Sequence, residues 1–178
     1  MFENELKFKI ENDKLFQTLL NTNAIIFTSE KHQIDSVWIK KDSDGMNLVS
    51  GEPVVRTREQ NGKITLTLKI EKNLGVFEEF ETVVDNLSET NKILQHLGMR
   101  KLVTIDKTRK TASLDGFNLC YDYVENLGSF LEVEFLTEQP DPDGNKKILD
   151  FAQKFNLTEN DVVQNTYNTL LCRKFNLK

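Results

Sequence analysis

Cysteine and histidine are scarce in this chain, at two residues each. Cys120 and Cys172 lie far apart without metal-ligand spacing. Reduced, partly buried thiols are therefore expected, in place of a disulfide framework or a cysteine-built metal site. His32 and His96 are isolated in sequence, which argues against a histidine-based zinc site and a Ser-His-Asp triad. No run of about 18 apolar residues exists, so no bilayer-spanning helix is expected. Glu3 and Glu5 stand where a signal peptide would be basic and then apolar, and the expected location is cytoplasmic. A basic excess is missing too: 23 Lys and Arg face 28 Asp and Glu, for a net charge of −5. That balance argues against a nucleic-acid polymer or an anionic membrane as partner, and leaves room for a local basic pocket. No repeat, low-complexity tract or Pro/Gly/Ser linker divides the 178 residues. A single domain over residues 1–178, with its own core, is expected. Any chemistry must then come from carboxylates, lysines, arginines and metal.

What is present is a series of short alternating segments. Strand-like stretches run over Glu3–Glu11, Gln33–Lys40, Val54–Glu59, Lys63–Glu71, Glu78–Val84, Leu102–Thr111, Phe117–Val124 and Phe130–Leu136. Asp44-Gly45, Asn61-Gly62, Asp115-Gly116 and Asp143-Gly144 are tight-turn dipeptides, and the middle two separate strand pairs as hairpin turns do. Helical spacing appears over Asp13–Asn21, over Ser88–Leu97 with Ser88 as cap, and over Lys146–Phe155. Thr158 and Asp161 resemble a capping box before a last helix through Tyr167, Leu170 and Leu171. The expected fold is α+β and mainly β: an eight-stranded antiparallel barrel with flanking helices.

The charges fall within the strands in a pattern. Side chains two apart on a strand share a face. Glu3, Glu5, Lys7 and Lys9 share one, with Leu6, Phe8 and Ile10 behind. Arg56 pairs with Arg58, Glu79 with Glu81, Lys107 with Arg109, and Glu132 with Glu134; Thr65, Thr67 and Lys69 share a further face. A solvated sheet face explains any single pair. Most of these pairs, however, are of one sign, and like charges on one face need neutralising. A barrel that gathers acids on one side and bases on another suits a polyanion with a divalent metal. Lysine and arginine clamp phosphate oxygens, and Mg²⁺ or Mn²⁺ takes one or two carboxylates and bridges the phosphates.

Glu3-Asn4-Glu5-Leu6-Lys7 resembles the N-terminal Glu-x-Glu-x-Lys signature of the CYTH superfamily, the triphosphate tunnel metalloenzymes. Further resemblances follow in order: Gln33-Ile34-Asp35, Val55-Arg56-Thr57-Arg58-Glu59, Leu66-Thr67-Leu68-Lys69, Glu79-Phe80-Glu81 and Asp106-Lys107-Thr108-Arg109. Asp122 with the run Leu127 to Glu134, and Thr166 to Leu171, complete a match over residues 1 to about 172. The resemblance implies a barrel, or tunnel, whose acids bind metal and whose bases bind triphosphate. It implies Glu3, Glu5, Asp122, Glu132 and Glu134 as metal-end residues. Lys7, Arg56, Arg58, Lys69, Lys107 and Arg109 would hold phosphates, with Glu79 and Glu81 orienting bases and Glu81 also touching substrate. Glu5, Lys69, Arg109 and Glu134 would stand nearest the reacting atoms. Lys9 falls outside the motif and reads as a solvated lysine.

The implied activity is that of a class IV-type adenylate cyclase, forming cyclic AMP and pyrophosphate from ATP. A triphosphatase acting on tripolyphosphate, thiamine triphosphate or a nucleotide, and a non-catalytic polyphosphate-binding module, are the alternatives. Homodimerisation is an expectation carried by the resemblance alone. Three departures bear on the substrate. Val37 and Trp38 replace an aromatic pair of the cyclase-like members, Lys69-Ile70-Glu71 replaces Lys-Gly-Pro, and Phe77 and Glu78 lie near the place of an arginine.

Overall fold

Alternation at a period of two builds the molecule. A computed structural model describes residues 2–47, 51–73, 76–139 and 141–177; residues 2, 3, 71–73, 76 and 77 are described in their backbone only. The chain runs β1 (Phe2–Ile10), α1 (Asp13–Thr22), β2 (Ser29–Lys40), β3 (Pro53–Gln60), β4 (Lys63–Asn73), β5 (Val76–Val84) and α2 (Leu87–His96). It continues with β6 (Met99–Leu114), β7 (Phe117–Val124), β8 (Gly128–Thr137), α3 (Gly144–Ala152) and α4 (Tyr167–Phe175). The eight strands form one sheet in the order β1-β8-β7-β6-β2-β3-β4-β5. The β1/β8, β2/β3, β3/β4, β4/β5 and β7/β8 ladders are antiparallel. The expectation of eight antiparallel strands with helices beside them holds.

Turn chemistry fixes the register of two hairpins. Asn61 and Gly62, at φ 51° and 75°, connect β3 to β4; Asp115 and Gly116, at 51° and 83°, connect β6 to β7. Consecutive positive φ values match the twist of the flanking strands, which is why Asn-Gly and Asp-Gly occupy such turns. Asp143-Gly144 behaves differently and opens α3, with Asp143 at the N-cap.

Three helix expectations need correcting. The cap of α2 is Asn86, not Ser88: its side chain accepts from the Glu89 amide at 3.1 Å, and an asparagine oxygen serves that position as well as a serine's does. The Lys146–Phe155 stretch is α3 followed by a 3₁₀ turn over Gln153–Phe155. The Thr158–Asp161 capping box exists, but it closes a 3₁₀ turn over Glu159–Asp161, and α4 begins only at Tyr167.

The chain divides into two compact units, Met1–Lys31 with Thr108–Gln164, and His32–Lys107 with Asn165–Lys178. In the first, the apolar faces of β1, β7 and β8 bury Phe8, Leu119, Leu131 and Val133 against Ile148, Phe151 and Phe155. Phe117 stacks on Phe151 with ring centroids 4.3 Å apart. In the second, Trp38, Val55 and Leu94 form a core with Leu66, Leu68 and Met99 packed against it. In each unit the strands thereby turn apolar residues to the helices and leave the charged residues on the opposite face.

Phe8 is fully buried, so Phe8→Ala is expected to cost about 3–5 kcal/mol in urea denaturation. Leu97→Ala, at a residue 73% exposed, is expected to cost no more than about 0.5 kcal/mol. Equal losses at the two positions would contradict this placement of the core.

Candidate active site

On the first unit's charged face, one arginine organises the acids. Arg109 on β6 forks onto Asp122 of β7, with Nε to Oδ1 at 2.7 Å and Nη2 to Oδ2 at 2.5 Å. The same Nη2 donates to Glu132 of β8. Lys7 of β1 lies opposite Glu132 in the ladder, with its ammonium 3.5 Å from Oε1. Asp122 is wholly shielded from solvent, and a carboxylate is stable there only when paired and hydrogen-bonded. Burial opposes the charge on Arg109, but the hydrogen bonds to Asp122 and the charges of Glu132 and Asp122 override it and hold the guanidinium above its ordinary pKa. Cys120 sits on this face opposite Glu132. Burial, against the pull of Arg109, pushes its thiol up to about 12.

Glu5 and Glu134 continue this face. They stand directly opposite each other across the β1/β8 ladder, two positions beyond the Lys7/Glu132 pair. Like charges so placed repel unless a cation joins them. Asn118 donates to Glu134 at 3.4 Å. The side chain of Glu3 lies outside the described residues, as do those of Glu71 and Phe77.

The second unit gathers the remaining bases. Arg58 of β3 forks onto Asp35 of β2, Nε to Oδ1 at 2.6 Å and Nη2 to Oδ2 at 2.7 Å. Asp35 is only 3% exposed. Arg56 donates from Nη2 to Thr67 Oγ1 at 3.3 Å, and Thr67 donates to Glu81 at 2.9 Å. Glu81 lies 3.8 Å from Arg56. Lys69 meets Glu79 at 2.6 Å, its partner across the β4/β5 ladder. The Nε of Arg56 is buried without a hydrogen-bond partner. Burial and the charge of Arg58 hold Arg56 below its ordinary pKa, and Asp35, Glu79 and Glu81 offset this only in part. Arg56 is a cation short of negative charge. Lys107, 4% exposed, sits 5.1 Å from the ring centre of Tyr167.

The expected segregation of acids from bases is not what these strands show. Several charged residues meet the opposite sign on the neighbouring strand, because the antiparallel register sets Lys69 against Glu79, Asp35 against Arg58 and Lys7 against Glu132. Asp35 and Thr67 carry no assigned role in the sequence reading, although both lie within its motifs. The spacing of Thr67 two residues before Lys69 is the signal that could have marked it, whereas the place of Asp35 beside Arg58 follows from interstrand register. Lys9 is not a solvated lysine: it donates to the Leu127 and Ser129 carbonyls at 2.8 and 3.4 Å and covers the Phe130 ring. Two cavities open in the second unit. One of about 260 Å³ lies at the β3/β4 hairpin among His32, Glu59, Gln60, Asn61 and Lys63, and includes neither Arg56 nor Lys69. One of about 150 Å³ is lined by Arg58, Gln60, Lys63, Thr65 and Glu81 and adjoins the charged cluster.

The charged ladder matches a known family over nearly its whole length: the CYTH domain model covers residues 1–167. The chain belongs to the CYTH family. It is 25% identical over 179 residues to adenylate cyclase CyaB of Aeromonas hydrophila, covering 95% of this chain and 88% of that protein. Among solved structures, a conserved hypothetical protein of Pyrococcus furiosus is similar at 28% identity and a TM-score of 0.77, over 95% of this chain and 99% of the other. A Hippeastrum protein described as an adenylyl cyclase candidate with a dominant triphosphatase activity shares the fold at 17% identity and a TM-score of 0.64, over 98% and 95% of the two chains.

CYTH enzymes process triphosphates and use divalent metal ions. The residues of this CYTH chain fit such an ion in one form. Among the described residues, no three acidic, histidine or cysteine side chains converge into a cage. Magnesium rarely needs one, since it keeps water and takes one or two carboxylates together with substrate phosphates. The opposed Glu5 and Glu134 would supply such a pair.

Arg109→Met is expected to lower stability by about 3–5 kcal/mol, because it leaves Asp122 buried and uncompensated. A loss below about 1 kcal/mol in urea denaturation would show that Asp122 reaches water. The raised thiol pKa predicts that Cys120 resists iodoacetamide at pH 8 in the native protein and reacts only after unfolding, as read by peptide mass. Rapid native alkylation at that residue would contradict it.

Proposed function

We propose that this CYTH chain binds a nucleoside triphosphate with divalent metal and acts as an adenylate cyclase, forming cyclic AMP and pyrophosphate from ATP. The observation that carries the triphosphate reading is Arg56, a half-buried cation with a buried, unpartnered Nε and incomplete compensation by neighbouring acids. A polyanion supplies the missing charge and the missing acceptor. Arg58, Lys69 and Lys107 share its oxygens in this reading, each already held in place by a strand. Arg109 keeps Asp122 and Glu132 in position.

In the cyclase reaction the ribose 3′-oxygen attacks the α-phosphorus. The bond from that phosphorus to the β-phosphate bridging oxygen breaks, pyrophosphate leaves, and a carboxylate of the Glu5 and Glu134 pair accepts the hydroxyl proton. A bound Mg²⁺ or Mn²⁺ contributes charge neutralisation on the phosphates and acidifies the hydroxyl. The basic side chains stabilise the charge that develops on the departing pyrophosphate. The naming of the Aeromonas relative supports this choice of reaction.

A triphosphatase is the second reading, and Val37 favours it. Val37 lies opposite Arg56 on the charged face and is buried, while Trp38 points to the other face and reaches Thr57 at 3.4 Å. No aromatic ring therefore stands at the position where cyclase-like relatives carry one. In the triphosphatase reading water attacks the terminal phosphorus, and the same bases hold the chain.

Incubation of the purified protein with ATP and Mg²⁺ or Mn²⁺ is expected to yield cyclic AMP and pyrophosphate in equal amounts. Orthophosphate without cyclic AMP would replace the cyclase by the triphosphatase. Arg56→Ala is expected to lower kcat/KM by about a hundredfold on whichever triphosphate is used. An unchanged value would remove Arg56 from the site.

A further inference from the structure

The charged ladder of the second unit does not stop at Arg58. The Asn61-Gly62 turn sets Gln60 directly opposite Lys63 and Arg58 opposite Thr65. The Arg58 and Thr65 pair lies one strand repeat, about 6.8 Å, beyond the Arg56 and Thr67 pair, and the Gln60 and Lys63 pair lies two repeats beyond it. Here the cavity of about 150 Å³ opens among Arg58, Gln60, Lys63, Thr65 and Glu81. None of Gln60, Lys63 and Thr65 belongs to the motifs that identify the family.

The lining is rich in donors. Gln33, only 4% exposed, donates from Nε2 to Gln60 Oε1 at 2.6 Å. With its oxygen so engaged, the Gln60 amide keeps two N–H donors of its own. Thr65 adds a hydroxyl and Lys63 adds positive charge, while Arg58 is forked onto Asp35. The one lining acid is committed elsewhere, since Glu81 accepts from Thr67 and neighbours Arg56. Among the described residues Lys63 makes no ion pair.

We propose that this cavity is a further oxyanion subsite, which takes one phosphoryl group more than Arg56 and Lys69 hold. The protein then binds linear polyphosphates longer than three units more tightly than a triphosphate. Gln33 is a positioning residue that aims Gln60. The inference rests on the triphosphate reading above.

Calorimetric titration with tripolyphosphate and tetrapolyphosphate, each with Mg²⁺, tests it. The wild-type protein is expected to bind the longer chain about fivefold more tightly, the scale of one added charge contact. Lys63→Ala should bring that ratio to about one, and Gln60→Glu, nearly isosteric but acidic, should bring it to one or below. Lys63 is exposed, so its truncation leaves folding intact, and an unchanged melting temperature checks both variants. A wild-type ratio of one, with tripolyphosphate still bound, overturns the subsite alone. A preference that survives both substitutions overturns it as well. Failure to bind either polyphosphate removes the triphosphate reading and the subsite with it.

Discussion

A sheet face crowded with charge is stable only where each charge meets its opposite across the ladder, and this requirement organises the protein. Both compact units answer it with the same device, an arginine forked onto a buried aspartate of the neighbouring strand. In the first unit the pair is Arg109 with Asp122, and in the second Arg58 with Asp35. Each aspartate is almost wholly removed from water, so its arginine offsets much of the cost of burying it. Each arginine loses its rotamer freedom in return, and a planar fork so held is poised for an anion.

Against this compensated background one imbalance stands out. Arg56 keeps a buried Nε without a partner. It asks for an anion, which a polyphosphate supplies. Two further ion pairs on these faces, Lys69 with Glu79 and Lys7 with Glu132, hold their side chains in fixed directions. The first is partly exposed and contributes little to stability, so its role is orientation.

Much of the fold was legible because period-two alternation and turn chemistry are local. Phe8 between Lys7 and Lys9, and Asn61-Gly62 between two alternating runs, require no tertiary knowledge. The helix ends were less legible, since Ser88 and Asn86 are both competent caps and packing chose between them. Lys9 was misread because its partners, the Leu127 and Ser129 carbonyls, are distant in sequence. The cavity at Gln60 and Lys63 was invisible in the chain, where both residues look like hairpin surface.

Sequence by itself determined the charged and apolar faces of each strand, the hairpin turns and the family, because these depend on neighbours along the chain. Tertiary structure alone decided which acid neutralises which base. Asp122 became the partner of Arg109 and Asp35 that of Arg58 through interstrand register, which no spacing within one strand encodes. The same register left Arg56 short of charge. The properties most useful for reading function thus arise from pairing across strands, where contact between residues far apart in sequence sets the electrostatic balance.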